Sequence, residues 1–232
     1  IFSDITEETV IIVPIIGTMF KYDNWWNYGC DYYANLIRQA NESENVSGII
    51  ILMNTPGGSV QSLIQLEDAI RNSVKPIVTV VDGMCCSCGY YIASLTDKVV
   101  AMHRMCEIGS IGVMARFQDP TKMYEDAGVK IYEVYPPESN YKNKDTRELF
   151  AKGDSKWLID ESLSPWAKHF QNIVKENRNI DENIEGIING RVFYAYDAQE
   201  NGMIDGIMNM DQAVGLVKDL ISEKKTMASL FK

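Results

Sequence analysis

The chain has 232 residues, 22 of them basic and 32 acidic, so its formal net charge at pH 7 is −10. This length suits one α/β domain with a substantial core. Nucleic acids and anionic membrane surfaces select for clustered Lys and Arg, so an acidic chain without a basic cluster argues against both as partners.

The five cysteines stand at positions 30, 85, 86, 88 and 106. Their odd number and their spacing match neither a disulfide framework nor a zinc finger, so free thiols in a reducing compartment are the simpler interpretation. The sequence also lacks an apolar run of membrane-spanning length and a secretion signal at its N-terminus. We therefore expect a cytoplasmic protein that has no membrane anchor and uses no metal or cofactor.

The first predicted strand is Thr9–Ile16, which is apolar on both faces and is weakened only by Pro14. Residues 20–30 predict a polar and aromatic loop that contains Trp25 and Trp26. These two side chains could form a wall of a substrate groove or a subunit contact. We favour local packing under the loop, because Trp is mostly buried in folded proteins.

Strands and helices then alternate. The predicted order is a helix at about 31–40, a strand at 48–53, a helix after Val60, a strand at 76–81, a helix after Ser87 and a strand at 98–102. Strands that alternate with helices predict parallel pairing with right-handed crossovers. The expected fold class is therefore α/β, with a parallel sheet built from βαβ units.

The second half of the chain is less regular. Residues 111–117 and 129–135 predict two more strands, and residues 136–145 predict a polar loop that carries two lysines. A helix follows over about 159–174, with Pro165 as its kink or start, and a last helix spans about 211–223. We expect a single domain over 1–223 and a loosely held tail over 224–232.

Ser87 lies where an apolar strand turns on small residues into a helix, in the segment Asp82-Gly-Met-Cys-Cys-Ser-Cys-Gly-Tyr-Tyr-Ile-Ala-Ser94. Backbone N–H groups point outward at a helix N-terminus and would stabilise an oxyanion there. The preceding strand ends in Asn54-Thr-Pro-Gly-Gly-Ser-Val60, at a similar turn. A Pro-Gly-Gly turn is also an ordinary tight turn, but its pairing with the Ser87 turn favours a functional role.

Together these segments resemble the signal peptide peptidase A family of Ser-Lys serine proteases, within the crotonase-like and Clp-protease fold group. The likeness rests on the two turn segments, on Gly109-Ser-Ile-Gly-Val113, and on a closing motif that ends at Asp205. It covers roughly residues 9 to 220 and is strongest to the short, single-repeat members, many of them phage or prophage capsid-maturation proteases. The resemblance implies a crotonase/Clp-protease-like fold.

The resemblance also implies which residues catalyse. Ser87 would be the nucleophile and a lysine in residues 136–145 the base, because neither His103 nor His169 fits the pattern of Clp proteases. Lys142 follows an aromatic residue, as in the family, and is our preferred base. Lys144, which precedes an aspartate, is the alternative.

Further roles follow from the same resemblance. Ser110 would hold the lysine, although it could instead cap a turn. Gly57, Gly58 and Cys88 would supply the N–H groups of the oxyanion hole.

The cysteines beside Ser87 depart from the family, which usually has alanines before the serine and a glycine after it. A thiolate is a strong nucleophile, so a cysteine enzyme is conceivable, but Ser87 holds the motif position.

We therefore expect a serine endopeptidase that cleaves proteins or peptides through an acyl-enzyme. A phage or prophage enzyme of this kind would process scaffold or capsid precursors in the host cytoplasm or the prohead interior. By resemblance we also expect a homo-oligomer, an octameric ring in which the lysine comes from the neighbouring subunit.

Three other functions remain open. One is a housekeeping peptidase that degrades signal peptides, and another is a non-catalytic, ring-forming assembly protein of the same fold. A crotonase-type acyl-CoA enzyme is disfavoured, because enolate chemistry has no use for the serine and no basic cluster awaits the CoA phosphates.

Overall fold

The computed structural model describes residue 2 and residues 5–230. Tertiary contacts divide the chain into two compact units. One, the sheet unit, runs up to Gly112 and resumes at Phe170; the other, the middle unit, is Val113–His169. The single domain over 1–223 stays a prediction.

The sheet unit is built on a mostly parallel sheet, which confirms the expected fold class. The strands of the described residues are β1 Thr9–Ile16, β2 Val46–Thr55, β3 Ile77–Cys86, β4 Lys98–Ala101, β5 Glu107–Gly109, β6 Val192–Tyr194 and β7 Gly206–Ile207. They pair in the order β1-β2-β3-β4-β7, all parallel. β5 pairs in parallel with the carboxyl-terminal end of β3, and β6 pairs antiparallel with β5.

Helices connect and cover these strands. The α-helices of the described residues are α1 Cys30–Glu42, α2 Leu63–Arg71, α3 Cys88–Ser94, α4 Thr121–Asp126, α5 Lys144–Lys152, α6 Lys156–Leu158, α7 Ser164–Asn177, α8 Ala195–Glu200 and α9 Met210–Leu230. The helices α1, α2 and α3 belong to the core on one face of the sheet, and α9 packs on the other. Successive side chains of a strand point to opposite faces, so Ile49 and Ile51 of β2 join the first core and Ile50 the second.

Two predicted strands are wrong. Residues 111–117 and 129–135 belong to no strand of the described chain, and all of them except Ile111 and Gly112 lie in the middle unit. Their β-branched and aromatic residues favour a pleated, half-buried surface, but this preference needs a neighbouring strand to be realised. In the described chain Ile131 and Val134 are instead exposed.

The C-terminal half of the chain is more helical than predicted. The helix expected over 159–174 extends from Lys156 to Asn177 through a π-helical turn at Ile159–Leu163, with Pro165 in the first turn of α7. α9 continues to Leu230, since residues 224–230 contain neither glycine nor proline to end it. The predicted tail is thus helical up to that point, and residues 231 and 232 lie outside the described residues. None of the described helices combines the length and the apolar character needed to cross a membrane.

Candidate active site

Ser87 occupies the one-residue turn between β3 and α3. Its backbone has φ 50° and ψ −123°, a conformation that costs free energy for any residue with a side chain. Two hydrogen bonds hold it there: its N–H donates to the Gly109 carbonyl, and its carbonyl accepts from the Tyr91 N–H, both at 2.9 Å. A strained strand-to-helix turn presents a side chain at the end of a sheet, as nucleophilic serines of hydrolases require.

The helix that Ser87 begins is anchored by two buried tyrosines. The hydroxyl of Tyr90 donates to the Met203 carbonyl at 2.8 Å, and that of Tyr91 donates to the Glu67 carboxylate at 2.5 Å. Because α3 is fixed on both sides, the position of Ser87 is fixed with it.

The glycine pair lies directly beside Ser87. Gly57 has φ +100°, and a Cβ added to it would lie 2.6 Å from the Cβ of Ser87. A Cβ on Gly58 would lie 2.0 Å from the carbonyl oxygen of Met19. Only glycine fits at either position, since both distances are far below van der Waals contact.

The predicted oxyanion donors are grouped at this turn. The Gly57 N–H donates to the Thr55 hydroxyl at 3.0 Å, and this hydroxyl donates to the Gly17 carbonyl at 2.6 Å. The Gly57 N–H would therefore have to give up its hydrogen bond to Thr55 before it could stabilise an oxyanion. Cys88 lies against the same turn, with its thiol 3.3 Å from the Gly58 carbonyl. Thr55 is buried at the site, and the sequence analysis did not single it out. Its hydroxyl stands two residues before Gly57, a spacing that could have indicated a hydrogen bond to the turn.

Ser110 is also near Ser87. It follows Gly109, whose carbonyl accepts the Ser87 N–H, and it has a positive φ of 53°. Its own N–H donates to the Arg191 carbonyl at 2.9 Å, which fixes the turn. The sheet unit therefore brings together five of the predicted site residues: Ser87, Gly57, Gly58, Cys88 and Ser110. Their catalytic roles stay predictions.

Both candidate lysines belong to the middle unit. Lys142 is exposed, in the turn before α5. Lys144 begins α5, and its ammonium lies 4.5 Å from the ring centre of Tyr141 and 4.1 Å from that of Trp157. Aromatic faces attract a cation, so these two contacts hold the Lys144 side chain against the rings. The pairing of either lysine with Ser87 stays a prediction.

The thiols around Ser87 are poor nucleophiles. All five cysteines are free and buried. Burial raises the pKa of Cys86 to about 11, and it also raises the pKa values of Cys85 and Cys88. A raised pKa leaves little thiolate at neutral pH, so the surroundings of the cysteines favour Ser87 as the reacting group.

The two histidines have local contacts. The exposed His103 accepts the Met105 N–H on Nδ1 at 3.2 Å. The His169 ring lies edge-on to Trp166, with ring centres 5.8 Å apart. These contacts suit a structural role for both histidines.

An ion pair between the buried Arg178 and the more exposed Asp205 braces the far end of α3. The Arg178 guanidinium, whose side chain is 6 % exposed, donates to the carbonyls of Ala93 and Thr96 and to the Asp205 carboxylate. Asp205 also accepts the Val99 N–H at 2.7 Å. Burial acts to raise the pKa of this carboxyl, but the Val99 bond and its cationic neighbours outweigh burial and lower it. The closing motif pointed to Asp205, whereas no sequence signal pointed to Arg178.

The tryptophan pair contradicts the packing interpretation. The side chains of Trp25 and Trp26 are 97 % and 91 % exposed, so neither packs under the loop. Their loop begins beside the glycine turn, because the backbone of Met19 pairs with that of Gly58.

Comparisons with known proteins agree with this geometry. The sequence model of peptidase family S49 matches residues 69–223. Protease 4 of Haemophilus influenzae is 25 % identical over 94 % of the chain, and the capsid assembly protease C of Escherichia phage lambda is 23 % identical over 95 % of it. The chain spans 36 % and 51 % of the lengths of these relatives.

A solved structure shares the fold. The 1510-N membrane-bound stomatin-specific protease, determined as a mutant with a substrate peptide, superposes with a TM-score of 0.53 and 17 % identity. The match covers 90 % of this chain and 80 % of the other.

Proposed function

The chain belongs to peptidase family S49, and from that premise we propose that it is a serine endopeptidase with Ser87 as nucleophile and Lys142 as general base. The observation that carries the proposal is the strained Ser87 turn in contact with Gly57. A hydroxyl is a weak nucleophile, so the base must take its proton as it attacks.

The reaction follows the usual order for acyl transfer. The Ser87 hydroxyl adds to the peptide carbonyl while its proton passes to the neutral lysine amine. The tetrahedral intermediate then collapses, the lysine gives the proton to the leaving amine, and an acyl-enzyme remains. Water activated by the same lysine hydrolyses this ester and frees Ser87.

The oxyanion of the intermediate would lie between the glycine turn and the start of α3. We assign its stabilisation to the N–H groups of Gly58 and Cys88, with Gly57 joining them if its bond to Thr55 is exchanged. A single such donor is worth about 10²–10³ in rate. Ser110, next to the carbonyl that holds Ser87, is proposed to orient the lysine.

The exposure of Lys142 bears on the assembly. A lysine is a usable base near neutral pH only when burial or a neighbouring cation lowers its pKa from about 10.4. Because Lys142 is exposed in the single chain, we propose that it becomes buried in a homo-oligomeric ring, with eight subunits as in the short members the chain resembles. Ser87 and Lys142 of one site would then come from neighbouring subunits.

The substrate is proposed to be an unfolded or extended protein segment. Similarity to the lambda capsid assembly protease C over 95 % of the chain supports scaffold or capsid-precursor processing, in a host cytoplasm or a prohead. Degradation of signal peptides is the second candidate, favoured by the resemblance to signal peptide peptidase A.

Labelling with a fluorophosphonate probe, followed by peptide mapping, tests the chemistry. We expect the probe on Ser87. A label on Cys86 or Cys88 would indicate a thiol enzyme, and a protein that stays unlabelled in its native assembly would indicate a non-catalytic one. Cleavage of unfolded casein, compared with that of a synthetic signal peptide of about 20 residues, separates the two candidate substrates.

A further inference from the structure

The loop over residues 20–28, the aromatic loop, exposes five large aromatic side chains. The exposed fractions are 45 % for Phe20, 68 % for Tyr22, 97 % for Trp25, 91 % for Trp26 and 58 % for Tyr28. Aromatic residues are usually buried, and a group of exposed ones marks an interaction site. The catalytic proposal gives these side chains no role.

The tip of this loop is held by its own hydrogen bonds. The Asn24 side-chain oxygen accepts the N–H groups of Trp26 and Asn27 at 2.9 and 3.0 Å, and the Asn24 N–H donates to the Asn27 carbonyl at 2.9 Å. The Asp23 carboxylate accepts the Gly29 N–H at 2.8 Å. An Asx turn of this kind fixes the backbone that carries the tryptophans before any ligand arrives, which lowers the entropy lost on binding.

The aromatic loop starts from the backbone that forms the candidate active site. The Met19 N–H donates to the Gly57 carbonyl at 2.9 Å, and the Met19 carbonyl accepts the Ser59 N–H at 3.0 Å. Gly57 in turn contacts Ser87. The start of the aromatic loop is thus joined to the Ser87 turn through Met19 and Gly57.

A groove of about 520 Å³ lies at the aromatic loop. Pro14 and Ile16 of β1 form one side, and Trp25, Trp26 and Tyr28 form another. Among the described residues that line the groove, Asp23 alone is charged, and its carboxylate is already bonded to the Gly29 N–H. Six of the nine lining residues are proline, isoleucine or aromatic, and the other polar ones are Asn24 and Asn27, so the groove suits a largely apolar side chain. Its volume lies within the usual range of ligand pockets, about 300–1,000 Å³.

We propose that this groove binds a large apolar or aromatic side chain of the peptide substrate, so that Trp25 and Trp26 determine specificity. The inference rests on the proposed function, because the occupant is the peptide that Ser87 would cleave. The continuity through Met19 favours a peptide over a second copy of the chain. Pro14 also has no N–H to donate, which opposes extension of the sheet from the free edge of β1 by another chain.

The test separates binding from chemistry. Binding is measured by fluorescence anisotropy on Ser87→Ala protein, with labelled peptides of Gly, Ser and Ala that carry one Phe at successive positions. The same peptides with Ser in place of Phe are the reference. We expect Phe at one or two positions to tighten binding about tenfold relative to the Ser reference peptide. Adding Trp25→Ala and Trp26→Ala to the Ser87→Ala protein should remove this gain in affinity.

Two control variants accompany this pair. Val74→Ala shortens another exposed apolar side chain, just before β3 and thus at the opposite end of the parallel sheet, and should leave binding unchanged. Replacement of both tryptophans by Phe should keep most of the preference, since Phe retains an aromatic surface.

The outcomes distinguish this inference from the proposed function. If the fluorophosphonate probe does not label Ser87 in protein with native tryptophans, the proposed function fails. If labelling is normal but the Trp-to-Ala pair binds Phe and Ser peptides as the parent does, the groove proposal fails. The groove proposal also fails if the variant with both tryptophans replaced by Ala still prefers the Phe peptides. A changed particle mass in solution would then indicate a subunit contact, and lost binding to phosphatidylcholine vesicles a membrane contact.

Discussion

Gly57 and Ser87 are in such close contact that a Cβ added to Gly57 would lie 2.6 Å from the Cβ of Ser87. The two residues are distant in sequence and lie in separate turns, after β2 and after β3. Parallel neighbouring strands end at the same edge of a sheet, so this contact follows from the pairing of β2 with β3. It places the Ser87 hydroxyl beside the glycine turn, whose N–H groups we propose as oxyanion donors, whereas acyl transfer also requires the base.

Gly57→Ala should disable the site. The new Cβ would meet Ser87 at a backbone φ of +100°, so we expect a loss of stability of about 2 kcal/mol or more and at least about a 10²-fold loss of activity. Gly215→Ala is the matched control, because its Cβ would enter open space within α9, where alanine stabilises by about 0.5–1 kcal/mol. Urea unfolding and casein cleavage measure both effects, and an active, stable Gly57→Ala enzyme would contradict the assignment.

Ser87→Ala should abolish cleavage of unfolded protein while the fold is kept. The change removes one hydroxyl, and the residual rate should fall to less than about 10⁻³ of the original. The measurement is casein cleavage together with thermal unfolding. Unchanged cleavage would refute Ser87 as the nucleophile.

The cysteines should be dispensable and unreactive. Replacement of Cys85, Cys86 and Cys88 by Ala, Ala and Gly should keep activity, since their raised pKa values leave little thiolate. A thiol reagent at pH 7 should modify the native protein slowly and all five thiols after denaturation without reductant. A lower count in anaerobically purified protein would reveal a disulfide and contradict the expected reducing compartment.

The two lysines should behave differently. Lys142→Ala should be inactive, whereas Lys144→Ala should stay largely active and lose about 0.5–1 kcal/mol of stability with its cation–π contacts. If each site is shared by two subunits, mixing Ser87→Ala with Lys142→Ala protein under subunit exchange should restore some activity. If the subunits exchange but activity is not restored, Ser87 and Lys142 of one site belong to the same chain. If Lys144→Ala is inactive and Lys142→Ala is active, Lys144 is the base.

Asp205→Asn should destabilise the end of α3 in a pH-dependent way. The folded-state pKa of this carboxyl is lowered, so its stabilisation is complete above the ordinary value of 3.8 and is lost as pH falls through the folded-state pKa. We expect a deficit of about 1–3 kcal/mol at pH 7 that shrinks below pH 3.8. Urea unfolding across this range checks it, with exposed Asp219→Asn as the control; a deficit that stays constant with pH would exclude the carboxylate charge as the cause.

Local patterns decided what could be predicted. The prediction for β1 matches its observed bounds, because an apolar, β-branched run favours a parallel strand. Its burial on both faces was wrong, since β1 is an edge strand whose Ile12 and Ile16 are exposed. The strands at 48–53 and 76–81 were also found, with longer bounds. The turns at Ser87 and Gly57 were predicted for a similar reason, since small residues after a buried strand mark a sharp change of direction.

The sequence by itself thus determined the parallel α/β architecture, the family and the two turns that form the candidate site. The tertiary structure alone decided that Thr55 holds the Gly57 N–H, that Arg178 caps α3, and that Trp25 and Trp26 face solvent. It also decided that residues 111–117 and 129–135 form no strand in the described chain. Each of these outcomes depends on which distant group lies within contact distance, and the strength of a hydrogen bond, an ion pair or a strand pairing is set by that neighbour rather than by the residue's own type.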